Sequence, residues 1–511
     1  MRIFLVAFFV FIGNVLAQEL YQYNKLIKQS EHQLNNFKFV SAKELVDSAI
    51  SINSKEPKAY ELLAKTHLWY FLGSKNDSDY VSFLSYCDSV IEKSDELIDE
   101  KGIDKKLLYL LASVYKFKAM AYGTVGNTLD AFWATKKSVS YFEEVIALDK
   151  NFYSAYGGIG IFQYALSYVP TLFDWALSLS GLSSNKEEGF QNILIAAKKG
   201  GVDKAEYQFH LAKLYDEYLA DYDNSLKIIA KLIKKYPDNI LFKYQKAVTL
   251  IKAKKINKAE IELQKIVKTK HQKFQQTYSF SLFLLGDINF RNNNYKDALE
   301  YYLRFLTTTK TIDYTGIASL RTAYCYYFLD DTLSDSSRLS YGEAEKYLLR
   351  AANGNLDLED DNYAKEKSIK ILKNSFTQAD KDLLIIQNYY LSGKNKKLFD
   401  YVDNIDSVSA KKNNIEINLY KAASLIEVDK FIEAEKLLVK NDSLELDTDN
   451  WIEPMSYFLK AKLYYIKKDL EKTEELLELA ESSNDYQKKN LIASYINGLK
   501  KKLKKLKKKN N

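Results

Sequence analysis

Histidines, cysteines and carboxylates do not occur here with the spacing of catalytic or metal-binding motifs. The sequence contains no HExxH, CxxC or GxSxG pattern, although zinc sites and serine nucleophiles depend on such closely spaced residues. The histidines stand alone, at His32, His67, His210 and His271. We therefore expect no catalytic residue, no metal site and no cofactor, and predict that the protein is not an enzyme. A glycan- or peptide-cleaving activity would rest only on scattered carboxylates and tyrosines.

Two segments match ligand-binding loops only in part. The GGIG run at residues 157–160 has the glycines of a phosphate loop, but no strand pattern precedes it and no Lys-Ser or Lys-Thr follows. The acidic run at 356–366 lacks the central glycine of a calcium loop. We interpret the first as a place where helices pack closely. The second is interpreted as a solvated loop that caps the helix beginning near Tyr363.

The elements that position side chains in this chain are predicted to be helices. Of 511 residues, 47% are hydrophobic and 28% are charged, which suits a large folded protein. Only 4 prolines and 18 glycines interrupt the chain, so long helices are expected. A single core rarely exceeds about 250–300 residues, so the sequence indicates several domains or a repeat array.

A repeat is clearest at residues 285–306. Leu285 and Gly286 lie on the predicted first helix, and Tyr295, Ala298 and Tyr302 on the second. Small residues allow two antiparallel helices to cross closely, while large residues fill the space between hairpins. The second-helix pattern recurs from Phe39 to Ala42, Tyr222 to Ser225, Ile256 to Ala259, Tyr341 to Ala344, Phe431 to Ala434 and Leu470 to Thr473.

With these repeats, residues 20–495 resemble the tetratricopeptide-repeat (TPR) superfamily, whose period is about 34 residues. Residues 147–201 resemble more particularly exported bacterial TPR proteins and the tetratricopeptide-39/inclusion-body-clearance family, in which a Gly-rich helix leads to an apolar segment and an EEG element. The eukaryotic members are associated with lipid and inclusion handling. The resemblance implies an all-α fold of antiparallel helix hairpins stacked as a TPR-like superhelical solenoid. It also implies that a concave groove holds a protein or peptide partner.

Tyrosines on or near the predicted first helices are the candidate partner-binding residues. Tyrosine offers a large, stiff contact area with one polar tip. Some of these side chains are expected to face the groove, and the rest to fill the core between helices. The candidates are Tyr326, Tyr327, Tyr389, Tyr390, Tyr464 and Tyr465.

The N-terminal residues 1–17 are predicted to be a signal peptide. Arg2 precedes the apolar run at 3–13, and Val15 and Ala17 suit a cleavage site. The run is short for a membrane span, although a short uncleaved anchor is the alternative. We therefore expect an exported protein that is periplasmic or secreted, with a position peripheral to the outer membrane as one variant.

An apolar segment at residues 152–184 carries a single charge, Asp174, and is interrupted by Pro170. Apolar runs of about 10–14 residues are more often core or interfacial helices than membrane spans. A buried helix pair is our interpretation, and a membrane-contacting hairpin or an inserted one is the alternative. In the alternative, Phe173 and Trp175 would contact the membrane.

The C-terminal residues 499–511 carry eight lysines, which outweigh the net charge of +7 of the whole chain. The remainder is therefore close to neutral, and a nucleic-acid-binding surface is not expected. Lys504, Lys505 and Lys508 are candidates for contact with an anionic membrane or an envelope polyanion, and a solvated terminus is the alternative. Cys87 and Cys325 are expected to be two buried thiols.

The predicted domain organisation follows from these segments: residues 1–17 signal peptide, 18–156 irregular TPR-like repeats, 157–200 apolar helical insertion, 201–498 TPR solenoid and 499–511 Lys-rich tail. The predicted function is an extracytoplasmic, non-catalytic TPR scaffold that mediates protein–protein interaction in the cell envelope. The alternative is a membrane- or lipid-associated repeat protein that uses the 152–184 segment and the Lys-rich tail.

Overall fold

The computed structural model describes residues 2–166, 185–269, 272–330, 337–442, 450–483 and 486–510. Within these ranges every regular element is helical, and no strand is present. The first helices are α1 (Arg2–Asn35), α2 (Phe39–Ile52), α3 (Pro57–Ser74), α4 (Asp77–Lys101), α5 (Lys105–Thr124), α6 (Thr128–Leu148), α7 (Tyr153–Leu166), α8 (Lys186–Lys199), α9 (Lys204–Glu217), α10 (Tyr222–Lys235), α11 (Ile240–Lys252) and α12 (Ile256–Lys268).

After a short 3₁₀ turn at Gln272–Phe274, thirteen more helices are described. They are α13 (Gln275–Arg291), α14 (Tyr295–Thr308), α15 (Thr315–Asp330), α16 (Ser337–Ala351), α17 (Glu359–Asn374), α18 (Gln378–Leu391), α19 (Asn395–Asn404), α20 (Ser407–Lys412), α21 (Asn414–Glu427), α22 (Phe431–Asp442), α23 (Ile452–Ile466), α24 (Leu470–Ser482) and α25 (Lys489–Asn510).

The chain forms two compact units. Unit 1 comprises Met1–Ala212, Lys227–Phe242 and His271–Phe274, and unit 2 comprises Lys213–Leu226, Lys243–Lys270 and Gln275–Asn511. In unit 1 the helices pack as the hairpins α1–α2, α3–α4, α5–α6 and α7–α8. In unit 2 the hairpins are α13–α14, α15–α16, α18–α19, α21–α22 and α23–α24. The predicted all-α fold of stacked antiparallel helix hairpins is thus confirmed.

The small residues of the repeat at 285–306 lie where its two helices cross. A Cβ atom added to Gly286 would be 2.7 Å from Cδ1 of Tyr302, so only glycine fits against that ring without displacement. Ala298, Tyr302 and Phe305 are fully buried. The hairpin therefore packs as the sequence pattern predicts, with the Tyr302 ring seated on the backbone of the first helix.

A left-handed residue marks the turn between two consecutive helices at eight places. Each lies two positions before the second helix begins: Phe37, Gly126, Ala220, Lys254, Asn293, Gly393, Asp429 and Lys468. At seven of these turns the next residue donates its backbone N–H to the carbonyl five positions earlier, as Asn294 does to Asn289 at 2.9 Å. This is the Schellman arrangement that satisfies the last carbonyls of the first helix.

The GGIG run belongs to helix α7, which packs on α8. A Cβ on Gly158 would be 2.2 Å from the Phe142 ring, and one on Gly160 would be 2.8 Å from the carbonyl oxygen of Gly189. The interpretation as a close helix crossing is confirmed. Residues 167–184, with Phe173 and Trp175, lie outside the described residues, so the alternatives for the apolar segment stay predictions.

Two further expectations concern the cysteines and the C-terminus. Cys87 and Cys325 are both buried and reduced, as predicted, and burial raises the pKa of the Cys325 thiol. The Lys-rich residues continue the same helix, α25, that begins at Lys489. The domain boundaries derived from the sequence stay predictions.

Candidate functional site

A charged cluster in unit 2 lies where the first helices of neighbouring hairpins meet. The Asp287 carboxylate on α13 accepts a hydrogen bond from the Tyr302 hydroxyl at 2.8 Å and another from the Arg321 guanidinium on α15. Although burial opposes it, the Asp287 carboxylate raises the pKa of Arg321 above its usual value. Arg321 and Asp287 therefore form an ion pair that joins two hairpins.

Arg291, at the last position of α13, has no such partner. Its guanidinium makes no hydrogen bond or ion pair to any described residue, and the side chain is half-buried. Burial lowers its pKa, the Asp287 carboxylate opposes that effect, and the Arg321 guanidinium adds to it. The backbone of this residue is nevertheless held firmly, because Ser392 Oγ donates to its carbonyl oxygen at 2.8 Å.

Asp360, the second residue of α17, is the other unpaired charge of this cluster. Its surface is exposed, yet the surrounding protein desolvates the carboxylate and raises its pKa, while Arg321 and Arg291 oppose the rise. No hydrogen bond or ion pair joins this carboxylate to the described residues. The cluster thus contains two guanidiniums and two carboxylates, of which Arg291 and Asp360 are unpaired.

The two guanidiniums border a cavity of about 50 Å³. This is room for several water molecules, since one water needs about 10–15 Å³ measured in the same way. Asn388 on α18 helps to shape the cavity, because its Nδ2 donates to the carbonyl oxygen of Phe290 at 2.9 Å. The lining residues are Asp287, Phe290, Arg291, Ile317, Leu320, Arg321, Tyr324, Tyr363, Leu384, Gln387, Asn388 and Leu391.

The structure does not bring the six candidate tyrosines together at this cavity, and none of the six lines it. All are half-buried and pack against the hydrophobic core of unit 2. Tyr327 stacks on Phe376 with ring centroids 4.8 Å apart. Tyr390 is covered by the Lys254 ammonium, 3.5 Å from the ring centroid. Their role in binding a partner stays a prediction.

Sequence reasoning missed the Arg291 cluster, although composition contained a signal. The chain has six arginines against 68 lysines, and Arg291 and Arg321 border this one cavity. Arginine stays charged when buried and presents a planar fork of donors, which lysine does not. In a chain that uses lysine almost everywhere else, these arginines mark places where that geometry matters.

Unit 1 holds an ionic cluster formed by Lys58, Glu61, Lys65, Lys116, Asp203 and Glu206. Lys65 Nζ lies 2.9 Å from Glu61 Oε1 and 2.7 Å from Asp203 Oδ1. Burial opposes these pairs, but the Asp203 and Glu61 carboxylates raise the pKa of Lys65 well above its usual value. Lys58 also pairs with Glu31 at 2.9 Å, so the three cations are matched by four carboxylates. The ionic cluster therefore joins helices of unit 1 and leaves no unpaired charge for a ligand.

The C-terminal helix α25 separates its residues by face. Leu499 and Leu503 are buried against unit 2, whereas Lys504, Lys505 and Lys508 are exposed. Two other lysines of this helix are ion-paired within unit 2, Lys500 with Glu481 and Lys507 with Glu474. The three candidate lysines thus form an exposed basic surface, and its contact with a polyanion stays a prediction.

Neither a metal site nor a membrane span is found in the part of the chain that the structure describes. There, no group of three or more His, Cys, Asp or Glu side chains is arranged to hold a metal ion. None of the helices there combines the length and apolar character needed to cross a bilayer. His67 instead lies 3.2 Å from Asp79, and Lys273 lies 2.8 Å from the same carboxylate.

Comparison with known proteins gives three kinds of match. The family model for Iml2/Tetratricopeptide repeat protein 39 matches residues 21–312. A TPR repeat-containing protein of Methanocaldococcus jannaschii is 27% identical over 284 residues, which are 50% of this chain and 46% of that protein. The chain therefore spans about half the length of this relative.

Among solved structures, yeast Tom70 has 14% identity and a TM-score of 0.28, with 94% of this chain and 96% of that chain covered. The APC/C hetero-tetramer Cut9–Hcn1 has 15% identity and a TM-score of 0.27, covering 95% and 97%. The TPR domain of P58(IPK) has 14% identity and a TM-score of 0.21, covering 77% and 99%. Similarity at this level supports no argument about this chain.

Proposed function

We propose that this chain, which belongs to the Iml2/Tetratricopeptide repeat protein 39 family, is a non-catalytic scaffold that binds protein partners in the cell envelope. The family model covers more than half of the chain. The matched residues include 147–201, the segment in which the sequence alone resembles this family. Stacked helix hairpins offer extended surfaces suited to binding proteins. The observation that carries the proposal is the series of stacked helix hairpins in each unit.

Export is the part of this proposal that the N-terminal sequence supports. The positive Arg2 and the apolar run at 3–13 suit a signal peptide. The structure adds that residues 17–22 are exposed and that Tyr23 is the first buried residue described. Cleavage after Ala17 would therefore leave the described core contacts intact. The mature protein would act outside the cytoplasm.

In-cell crosslinking followed by mass spectrometry tests the scaffold proposal. One or a few envelope proteins should be crosslinked repeatedly to unit 1 or unit 2. A matched control replaces Phe8 and Phe9 by Arg, which interrupts the apolar run. This variant should stay in the cytoplasm with its signal peptide uncleaved. Partners should be lost in the control. If the exported protein enriches no partner over the retained one, the proposal is wrong.

Membrane association is a second candidate, favoured by the exposed Lys504, Lys505 and Lys508 on α25. Each basic residue near an anionic surface contributes about 1 kcal/mol, so three Lys→Glu changes should abolish binding to phosphatidylglycerol vesicles in flotation. The control places the same changes at Lys234, Lys396 and Lys397, which are also exposed. Equal flotation of both variants, or none by the unaltered protein, would exclude this candidate.

A further inference from the structure

We propose that unit 1 binds an aliphatic primary ammonium, whose chain also carries a hydroxyl or carbonyl oxygen, in a cavity between α6, α7 and α8. A lysine residue of a polypeptide and a free amino alcohol both have this chemistry. The inference goes beyond the scaffold function, because binding of such a group does not require that a protein partner exists. It rests on the size of the cavity, its apolar residues and the polar groups that border it.

The cavity is large enough for a small organic molecule. Its volume of about 270 Å³ lies near the lower end of the range of about 300–1,000 Å³ for small-molecule sites. The residues that each helix contributes are three or four positions apart and so share one helix face. Six of the bordering residues are apolar or aromatic: Val139, Ile146, Tyr156, Ile159, Phe162 and Leu166. A chain of a few methylenes would therefore leave water for an apolar surface.

Two carboxylates border the cavity without a cation beside them. Glu143 on α6 and Glu188 on α8 are both exposed, and neither carboxylate makes a hydrogen bond or ion pair to the described residues. No lysine, arginine or histidine is among the described residues that border the cavity. Two uncompensated negative charges attract a cation and repel an anion, so the bound group should be cationic.

A buried amide pair adds one donor and one acceptor. Gln163 on α7 is only 6% exposed, and its Oε1 accepts a hydrogen bond from Asn192 Nδ2 on α8 at 2.8 Å. Gln163 Nε2 and Asn192 Oδ1 have no partner among the described residues, and both residues border the cavity. The pair therefore offers an N–H and an oxygen to a ligand, so the ligand should carry an acceptor as well as donors.

These groups together select a primary ammonium. The acceptors are two carboxylates and the Asn192 oxygen, and a primary ammonium has three N–H donors. Glu188 and Asn192 are four positions apart on α8, so their side chains are neighbours, and one ammonium can donate to both. The methylenes of the ligand then contact the apolar residues, and its oxygen accepts from Gln163.

Binding of 5-aminopentan-1-ol to the full chain, titrated by saturation-transfer NMR, tests the site. The double variant Glu143→Gln/Glu188→Gln should raise the dissociation constant about fivefold, as two exposed ion pairs predict. The control Glu144→Gln/Glu187→Gln changes the adjacent glutamates, which are also exposed but do not border the cavity, and it should leave binding unchanged. An equal rise in both double variants would mean that the probe senses only general surface charge, which overturns the proposal.

Two analogues test the cavity in the unaltered chain, so the result stays decisive even if a variant fails to fold. Methylammonium lacks the chain and should bind at least about tenfold more weakly, because each buried methylene strengthens binding about fourfold. Pentane-1,5-diol lacks the charge and should bind about fivefold more weakly. If either analogue binds as tightly as 5-aminopentan-1-ol, the proposal is wrong.

Nα-acetyl-lysine N-methylamide distinguishes the two sources of the ammonium. It carries the same group on a four-carbon chain, together with backbone carbonyl oxygens. Tighter binding of this probe than of 5-aminopentan-1-ol assigns the cavity to a lysine residue of a polypeptide, and the reverse order assigns it to a free amine. Both orders support the site, whereas the absence of saturable binding by either probe contradicts it.

Discussion

The Tyr302 hydroxyl donates a hydrogen bond of 2.8 Å to the Asp287 carboxylate, and both side chains are buried. Tyr302 belongs to the second helix of a hairpin and Asp287 to the first, while Arg321 reaches the same carboxylate from the next hairpin. One carboxylate thus connects three successive helices. Burial and the Asp287 charge together raise the pKa of Tyr302 well above its usual value, so the tyrosine remains a neutral donor.

Removing this hydroxyl should destabilise unit 2. A hydrogen bond to a charged group contributes about 1.5–3 kcal/mol, so Tyr302→Phe should lower the free energy of unfolding by about that amount. The measurement is a urea denaturation monitored by circular dichroism. Tyr301→Phe is the matched control, because Tyr301 is half-buried and makes no hydrogen bond to the described residues. Equal stability of the two variants would show that the bond contributes nothing net.

The close packing of Gly286 on Tyr302 leads to a second prediction. Gly286→Ala would place Cβ 2.7 Å from two ring carbons of Tyr302, and overpacking of this kind costs about 1–3 kcal/mol. Gly123→Ala, in helix α5, is the control, because nothing lies within 4 Å of the added Cβ. That change should stabilise the helix by about 0.5–1 kcal/mol. The midpoint temperature of thermal unfolding should therefore fall in Gly286→Ala and rise in Gly123→Ala. A higher midpoint in Gly286→Ala would contradict the close packing on Tyr302.

The helix hairpins could be predicted from the sequence because their determinants are local. Gly286, Ala298 and Tyr302 have the spacing that a close crossing of two antiparallel helices requires, and the structure confirms each position. The glycines of α7 likewise lie at a close helix crossing, as the GGIG run predicts. Periodic apolar residues and small residues at helix crossings are visible in one sequence, since each repeat contacts mainly its neighbours.

The Arg291 cluster could not be predicted, because its members come from helices far apart in sequence. Asp287, Arg321 and Asp360 belong to α13, α15 and α17, and no periodicity relates them. The left-handed turn residues were missed for another reason. Lys254, Asp429 and Lys468 occupy a conformation that favours glycine, so their residue types give no sign of it. These turn residues share only their place, two positions before the next helix begins.

The ionic cluster of unit 1 should make stability depend on Asp203. Burial opposes ionisation of this carboxylate, but Lys65, Lys58 and Lys116 hold its pKa well below the usual range. Asp203→Asn leaves Lys65 with one partner fewer and should destabilise the protein by about 3 kcal/mol at pH 7, since breaking a buried ion pair costs about 3–5 kcal/mol. Urea denaturation gives the value. The control Asp47→Asn removes an exposed pair with Lys43 and should change the free energy of unfolding by under about 0.5 kcal/mol.

The pH dependence of this effect has a definite sign. Because the folded pKa of Asp203 is depressed, its contribution is fully present above the unfolded value near 3.9 and is lost as pH falls through the folded value. The difference between Asp203→Asn and the unaltered protein should therefore be constant from pH 7 to about 5 and shrink below about 4. A difference that grows in acid would show that Asp203 is not a depressed carboxylate.

Relief of the left-handed turn at Lys468 should stabilise unit 2. Lys468 has φ of 64°, is exposed, and makes no side-chain hydrogen bond or ion pair to the described residues. A residue other than glycine in the left-handed conformation costs about 1–2 kcal/mol of folding free energy. Replacing it by glycine removes this cost, but the greater flexibility of glycine in the unfolded chain offsets about 0.5–1 kcal/mol of the gain. Lys468→Gly should thus gain about 0.5–1 kcal/mol. Lys468→Ala keeps the strained φ and should gain nothing, so equal urea midpoints for the two variants would mean that the turn is unstrained.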